Sequence, residues 1–250
     1  FIDGLTFING DATSIGVEVK CSGVTPSNIQ LLNSFIVGTM SVGYYQTCAD
    51  GVLLDNVWMG GAGTDRAILL EAGTGKPILN TYMNNLLIDS VATAGVSISG
   101  TGNVGNGSIR VAKSHINCQG VGDSYGVDIG YVYGGNPDLV QVVNNNIEGC
   151  SRDGIAIGAL AANTILIEGN RIRDNNISSS GYAGIRIASG ATGVQIKGNV
   201  IGRSAQHYGI ITVGTLSDSE ITGNDLSGNT YGGIRLGGTF SGLLSVNKGI

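Results

Sequence analysis

The sequence predicts an all-β chain wound as a single-stranded parallel β-helix of about nine to ten turns, and three observations carry the prediction. A short motif recurs: "GIAIGALAANTILIEGN" at 154–170 returns as "GIRIASGATGVQIKGN" at 184–199, "GIITVGTLSDSEITGN" at 209–224 and "GIRLGGTFSGLLSVN" at 233–247. Inside each copy the apolar residues alternate with period two, as in Ile185/Ile187 and Val194/Ile196, the pattern of short strands with one buried face. Glycine supplies 43 of 250 residues against 3 prolines, which provides frequent corners without the strict triplet of collagen.

In chain order, residue 1 opens directly on "FIDGLTFING", a strand within a repeat. The small residue before each apolar pair then falls at Gly16, Gly43, Ala67, Gly95, Gly126, Gly154, Gly184, Gly209 and Gly233, at intervals of 27, 24, 28, 31, 28, 30, 25 and 24. Such a unit lacks the helix of an α/β horseshoe and is too short for a propeller blade of about 40 residues. Coiling satisfies it, because each strand pairs with its equivalent about 4.8 Å away and the Ile, Val and Leu side chains stack inside the tube. The second strand of a turn is followed by Asn144-Asn145, Gly169-Asn170, Gly198-Asn199 or Gly223-Asn224, with Ser114 one turn earlier. A sharp corner needs left-handed backbone, which Gly adopts freely and Asn tolerates. Stacked Asn amides can also bond to those above and below as a ladder. Cys21 and Cys48 stack on adjacent turns, as do Cys118 and Cys150. They read as unbridged, buried thiols in preference to one or two bridges, since parallel stacking often gives the wrong Cβ geometry.

Composition narrows the partners. Charged residues are 12% of the chain and the net charge is -5, so the basic footprint of a nucleic-acid binder is missing. No apolar run approaches the roughly 18 residues of a membrane span, and no metal-spaced Cys or His cluster calls for a metal or other cofactor. The chain reads as one domain over 1–250. Without a basic, apolar leader at its start, and stopping at "SVNKGI" partway through a turn, it is expected to be a fragment or processed chain whose ends are covered by more chain or a partner.

The opening "FIDGLTF" and the recurring "GIxI … GN" turns resemble the pectate-lyase-like superfamily of right-handed parallel β-helices along essentially the whole chain. Within it they are most similar to the β-helical bodies of bacteriophage tailspikes. That resemblance implies a right-handed coil, a bacterial surface polysaccharide as partner, an extracellular or virion setting and a homotrimer. The polygalacturonase segments (Asn-Thr-Asp, Asp-Asp, Gly-His-Gly, Arg-Ile-Lys) and the pectate lyase Trp-x-Asp-His segment are missing, so neither pectin activity carries over.

Inward positions of a β-helix are spent on packing, which leaves function to outward positions and loops. The outward residue of successive first strands is Glu18, Tyr45, Leu69, Ser97, Asp128, Ala156, Arg186, Ile211 and Arg235, and Asp128 and Arg186 are expected to flank a notch over Ala156. The corner before that strand carries Tyr125, then Arg152 and Asp153, Tyr182, His207 and Tyr208, and Tyr231, placing four of nine tyrosines in one column. Exposed rings with nearby Arg and carboxylate suit a sugar groove; the plainer reading is that stacked aromatics stabilise neighbouring turns. Inverting glycoside hydrolysis needs two carboxyls about 6.5–9.5 Å apart. Asp128 and Asp153 have Cα atoms expected about 11 Å apart from strand and coil spacings, with Asp153 as the acid and Asp128 activating water, unless both are ordinary turn aspartates. A lyase would draw instead on His207, Tyr208, Arg186 and Arg235. His115 reads as structural. Arg66 with Asp65, and Arg171 and Arg173 with Asp174, read as solvated ion pairs, and outward Leu69 and Ile211 as a subunit contact. The function favoured is a polysaccharide depolymerase of the glycoside hydrolase type, against a non-catalytic receptor-binding rod (adhesin or fibre segment) or a polysaccharide lyase.

Overall fold

Alternating apolar residues leave each strand with one face that must be covered, and the chain covers it by coiling on itself. The computed structural model describes all residues except 22–23, 74–76, 101–102, 121, 132–135, 160–163, 176–180, 203–205, 246 and 250. Among the described residues the regular structure is β throughout, and strands pair in parallel with their equivalents one coil on. Parts of the repeat copies at 154–170 and 233–247 lie outside the described residues.

The register carries the nine-residue column from Glu18 to Arg235 without a slip. Seven coils carry all three strands, those whose first strands begin near Ile15, Val42, Arg66, Ala94, Tyr125, Ile155 and Ala183. The two coils starting at Tyr208 and Gly232 keep only isolated bridges at the third position, through Asp225 and Lys248. Complete turns therefore number about seven, fewer than the nine to ten expected from counting motifs alone.

Inside, side chains stack by kind. The third strands align Ile36, Met59, Ile88, Ile116, Ile147, Ile172 and Ile201, all fully buried. Each such side chain contributes about 1.5–3 kcal/mol on burial. This stack explains the glycine of the "GI" motif. A Cβ on Gly184 would lie 2.2 Å from Ile201 Cγ2, and one on Gly126 would lie 2.3 Å from Ile147 Cγ2. Glycine is required there by close approach across the bore.

The corner after the second strand is left-handed in eight successive coils, with φ between 48° and 66° at Asn33, Asn56, Asn85, Lys113, Asn144, Gly169, Gly198 and Gly223. One residue later the expected ladder is present. Asn145, Asn170, Asn199 and Asn224 each donate Nδ2 to the Oδ1 of the next Asn at 2.9–3.0 Å, ending on Asn247. Each also donates to a backbone carbonyl, and its Oδ1 takes a backbone N–H of the preceding coil, starting at Ser114 N–H. The cysteines depart from expectation. Cys21–Cys48 and Cys118–Cys150 are disulfides, with Cα separations of 6.0 and 4.7 Å, because their corner positions bring the backbones within bridging range. Among the described residues no helix is long and apolar enough to cross a membrane.

Candidate functional site

The first strands place the predicted site residues on one side of the coil. Val127, Ile155, Ile185 and Ile210 point into the core, so Asp128, Ala156, Arg186 and Ile211, which alternate with them, lie on the opposite face. That face is covered at its middle. Ser97, Asp128 and Ala156 have no exposure and Ile211 is 4% exposed, so the expected open notch over Ala156 is closed and Ile211 offers no subunit contact. Leu69 is half-buried.

Asp128 is held from two sides, accepting Tyr131 N–H at Oδ1 (2.9 Å) and Ser97 O–H at Oδ2 (3.2 Å). Tyr131 was not singled out by the sequence. Gly130, at φ 63°, turns the chain beside the strand end and brings the Tyr131 ring 6.1 Å from that of Tyr125.

The corner before these strands is a stack of rings and cations. Extending the register, Tyr125, Asp153, Ala183 and Tyr208 share one position, and Arg152, Tyr182, His207 and Tyr231 the one before it. The four tyrosines thus occupy two adjacent columns, correcting the single column expected. Tyr125 is buried, and burial pushes its phenol up to about 12. Arg152 donates to Tyr125 Oη at 2.8 Å and pairs with Asp123 at 2.6 Å, and its guanidinium lies 5.6 Å from the Tyr125 ring and 5.4 Å from the Tyr182 ring. The Arg186 guanidinium lies 5.3 Å from the same Tyr182 ring. Further along, the His207 and Tyr231 rings meet at 4.4 Å, Tyr231 and Tyr208 at 5.9 Å, and Arg235 lies 5.7 Å from the Tyr208 ring. Tyr231 is 63% exposed, so the stack runs from a buried start at Tyr125 to an open end.

Asp153 ties the stack to the body. Its Oδ1 accepts Ala183 N–H (2.6 Å) and its Oδ2 accepts Arg186 Nε (2.8 Å). Arg186 donates its other arm to Gly181 O, and Gly181 N–H donates to His207 Nδ1 at 3.0 Å, which links three coils. Asp153 has no exposure, and burial pushes its carboxyl up to about 6 against the opposing pull of Arg186, the Ala183 N–H and Arg152.

The remaining expectations are placed as follows. His115 bonds Glu148 at 2.8 Å, and Arg173 pairs with the same Glu148. Burial works against that carboxylate, yet these two partners hold it below its usual range. Arg173 therefore pairs across coils, while Arg66 pairs with Asp65 at 3.0 Å as expected. Among the described residues, no three His, Cys, Asp or Glu side chains gather to hold a metal ion.

A family model described as a right handed beta helix region matches residues 125–248. No curated protein matches the sequence. Among solved structures the chain is similar to the A-module of a mannuronan C-5 epimerase from Azotobacter vinelandii, at 15% identity, covering 98% of this chain and 81% of that one with a TM-score of 0.43.

Proposed function

We propose that the protein binds a bacterial surface polysaccharide, of acidic type, along the tyrosine–arginine stack. The observation that carries this reading is the interleaving of rings and guanidiniums from successive coils: Arg152, Tyr182 and Arg186, then His207, Tyr231, Tyr208 and Arg235. An exposed ring such as Tyr231 offers a flat apolar face to a pyranose, and the Arg235 guanidinium offers paired donors to a carboxylate. The resemblance to tailspike bodies supports a bacterial surface target, an extracellular or virion setting and a homotrimer. Two disulfides support an oxidising compartment.

Hydrolysis is the second reading, favoured by the Asp153 carboxyl at about 6, a value suited to a general acid. It requires Asp153 to leave Arg186 and meet a glycosidic oxygen, with Asp128 leaving Tyr131 and Ser97 to activate water. The two readings separate in one assay set. Retention in gels carrying polygalacturonate or dextran reports binding, and release of reducing ends from capsular polysaccharides reports cleavage. Tyr231→Ala with Arg235→Ala is expected to weaken polyuronate retention about tenfold and to reduce its salt sensitivity. Unchanged retention in that variant removes the binding site. Chain shortening without an unsaturated, ultraviolet-absorbing product, lost in Asp153→Asn and Asp128→Asn, would establish the hydrolase.

A further inference from the structure

Another concave surface lies on the asparagine corner, away from the tyrosine stack. It encloses about 270 Å³, and none of its lining residues is charged. Phe35, Trp58 and Leu87 stand in register there on three successive coils, 45%, 40% and 41% exposed. The Phe35 and Trp58 rings meet edge to face at 5.4 Å. Beside them run Asn33, Asn56 and Asn85, the residues that make the left-handed corner. Their amide nitrogens are spent on fixing the row: Asn33 Nδ2 donates to Asp3 (2.9 Å), Asn56 Nδ2 to Asn33 Oδ1 (2.7 Å) and Asn85 Nδ2 to Asp55 (2.7 Å). Among the described residues, Asn56 Oδ1, Asn85 Oδ1 and the Trp58 indole N–H are left without a partner.

We infer that this groove binds a neutral, unbranched glycan. Flat apolar faces flanked by fixed, uncharged hydrogen-bonding groups match a pyranose, whose ring packs on Trp58 and Phe35 while its hydroxyls donate to the Asn56 and Asn85 oxygens and accept from the indole N–H. A protein seated there would bury those oxygens, each costing about 1–3 kcal/mol if unpaired. The apolar stripe is also only three side chains wide, well short of the roughly 800 Å² per partner of a stable protein interface.

The corner keeps its register along the coils. The column of Phe35, Trp58 and Leu87 continues through His115, Asn146 and Arg171 to Val200, where a second concavity of about 520 Å³ opens between Arg171 and Val200. Successive coils repeat at about 4.8 Å, close to the length one sugar adds to an extended chain, so consecutive sugars meet consecutive coils.

The inference is independent of the tyrosine stack, and Trp58, the single tryptophan of the chain, reports on it directly. The intact protein is titrated with maltohexaose and cellohexaose as neutral probes and with a galacturonate hexamer as the acidic one, following tryptophan emission. A neutral hexasaccharide is expected to shift the emission saturably. Phe35→Ala and Asn56→Gly are expected to weaken that response about tenfold, the second at a corner whose φ glycine adopts freely, while Tyr231→Ala leaves it unchanged. Three results would overturn the inference. These are no saturable change with either neutral probe, a response lost in Tyr231→Ala but kept in Asn56→Gly, and sedimentation showing self-association that Phe35→Ala abolishes, which would assign the groove to a second copy.

Discussion

Asp153 sets the chemistry of the stack through its burial. Its folded value of about 6 lies above the ordinary 3.8, so the folded chain holds this proton more tightly than the unfolded chain does. The sign follows: the associated stability is fully present below about pH 4 and is lost as pH rises through 6, by up to about 3 kcal/mol. Glu148, Glu220 and Asp225 are shifted the other way and oppose this trend, so the informative quantity is the difference between two proteins. Chemical denaturation of wild type and Asp153→Asn between pH 4 and 6.5 is expected to show wild type losing stability relative to the variant as pH rises. Identical slopes would mean that the carboxyl titrates as in solvent. The placement of Asp128, Ala156 and Arg186 in one line was legible, because strand alternation fixes facing. Their partners were not, because the Tyr131 N–H that Asp128 accepts and the Asp153 carboxylate that Arg186 meets leave no periodic trace.

The corners show what the repeat encodes at the level of an element. The Gly-Asn pair divides two tasks, a left-handed turn at Gly169, Gly198 and Gly223 and a ladder amide at Asn170, Asn199 and Asn224. Asn199 is bonded on every side: its Oδ1 accepts Asn170 N–H and Nδ2, and its Nδ2 donates to Ile167 O and to Asn224 Oδ1. Asn199→Ala leaves several of these buried groups unpaired and is expected to cost on the order of 3 kcal/mol in urea denaturation. Asn247→Ala, at the half-buried end of the ladder, is expected to cost less. Equal losses at the two positions would argue that the ladder is not cooperative. This element was readable in the sequence because a ladder needs the same residue at the same place in each coil. The glycine column was readable but not its reason, since at Gly16, Gly95, Gly126, Gly154 and Gly184 the clash avoided includes an isoleucine of the third strand, far along the chain.

For the molecule as a whole, strand pairing among the described residues runs between neighbouring coils, so stability is close to a sum of local terms and damage stays near its source. The disulfides obey the same geometry, each tying a corner to the next coil across 27 or 32 residues. The sequence places each pair on neighbouring turns yet does not decide bridging, because coil-to-coil spacing is common to bridged and unbridged pairs. Removing Cys118–Cys150 with a double substitution to serine is expected to cost about 3 kcal/mol through loop-closure entropy. In a fold cooperative across its whole length that loss would raise amide exchange everywhere. In a chain of neighbouring coils it is expected to raise exchange in the strands Tyr125–Ile129 and Asn146–Glu148, which flank the bridge, and to leave Ile2–Asp3 and Gly232–Leu236 as they were. Hydrogen exchange read by mass spectrometry distinguishes the two, and a uniform rise would show that the coils share one stability.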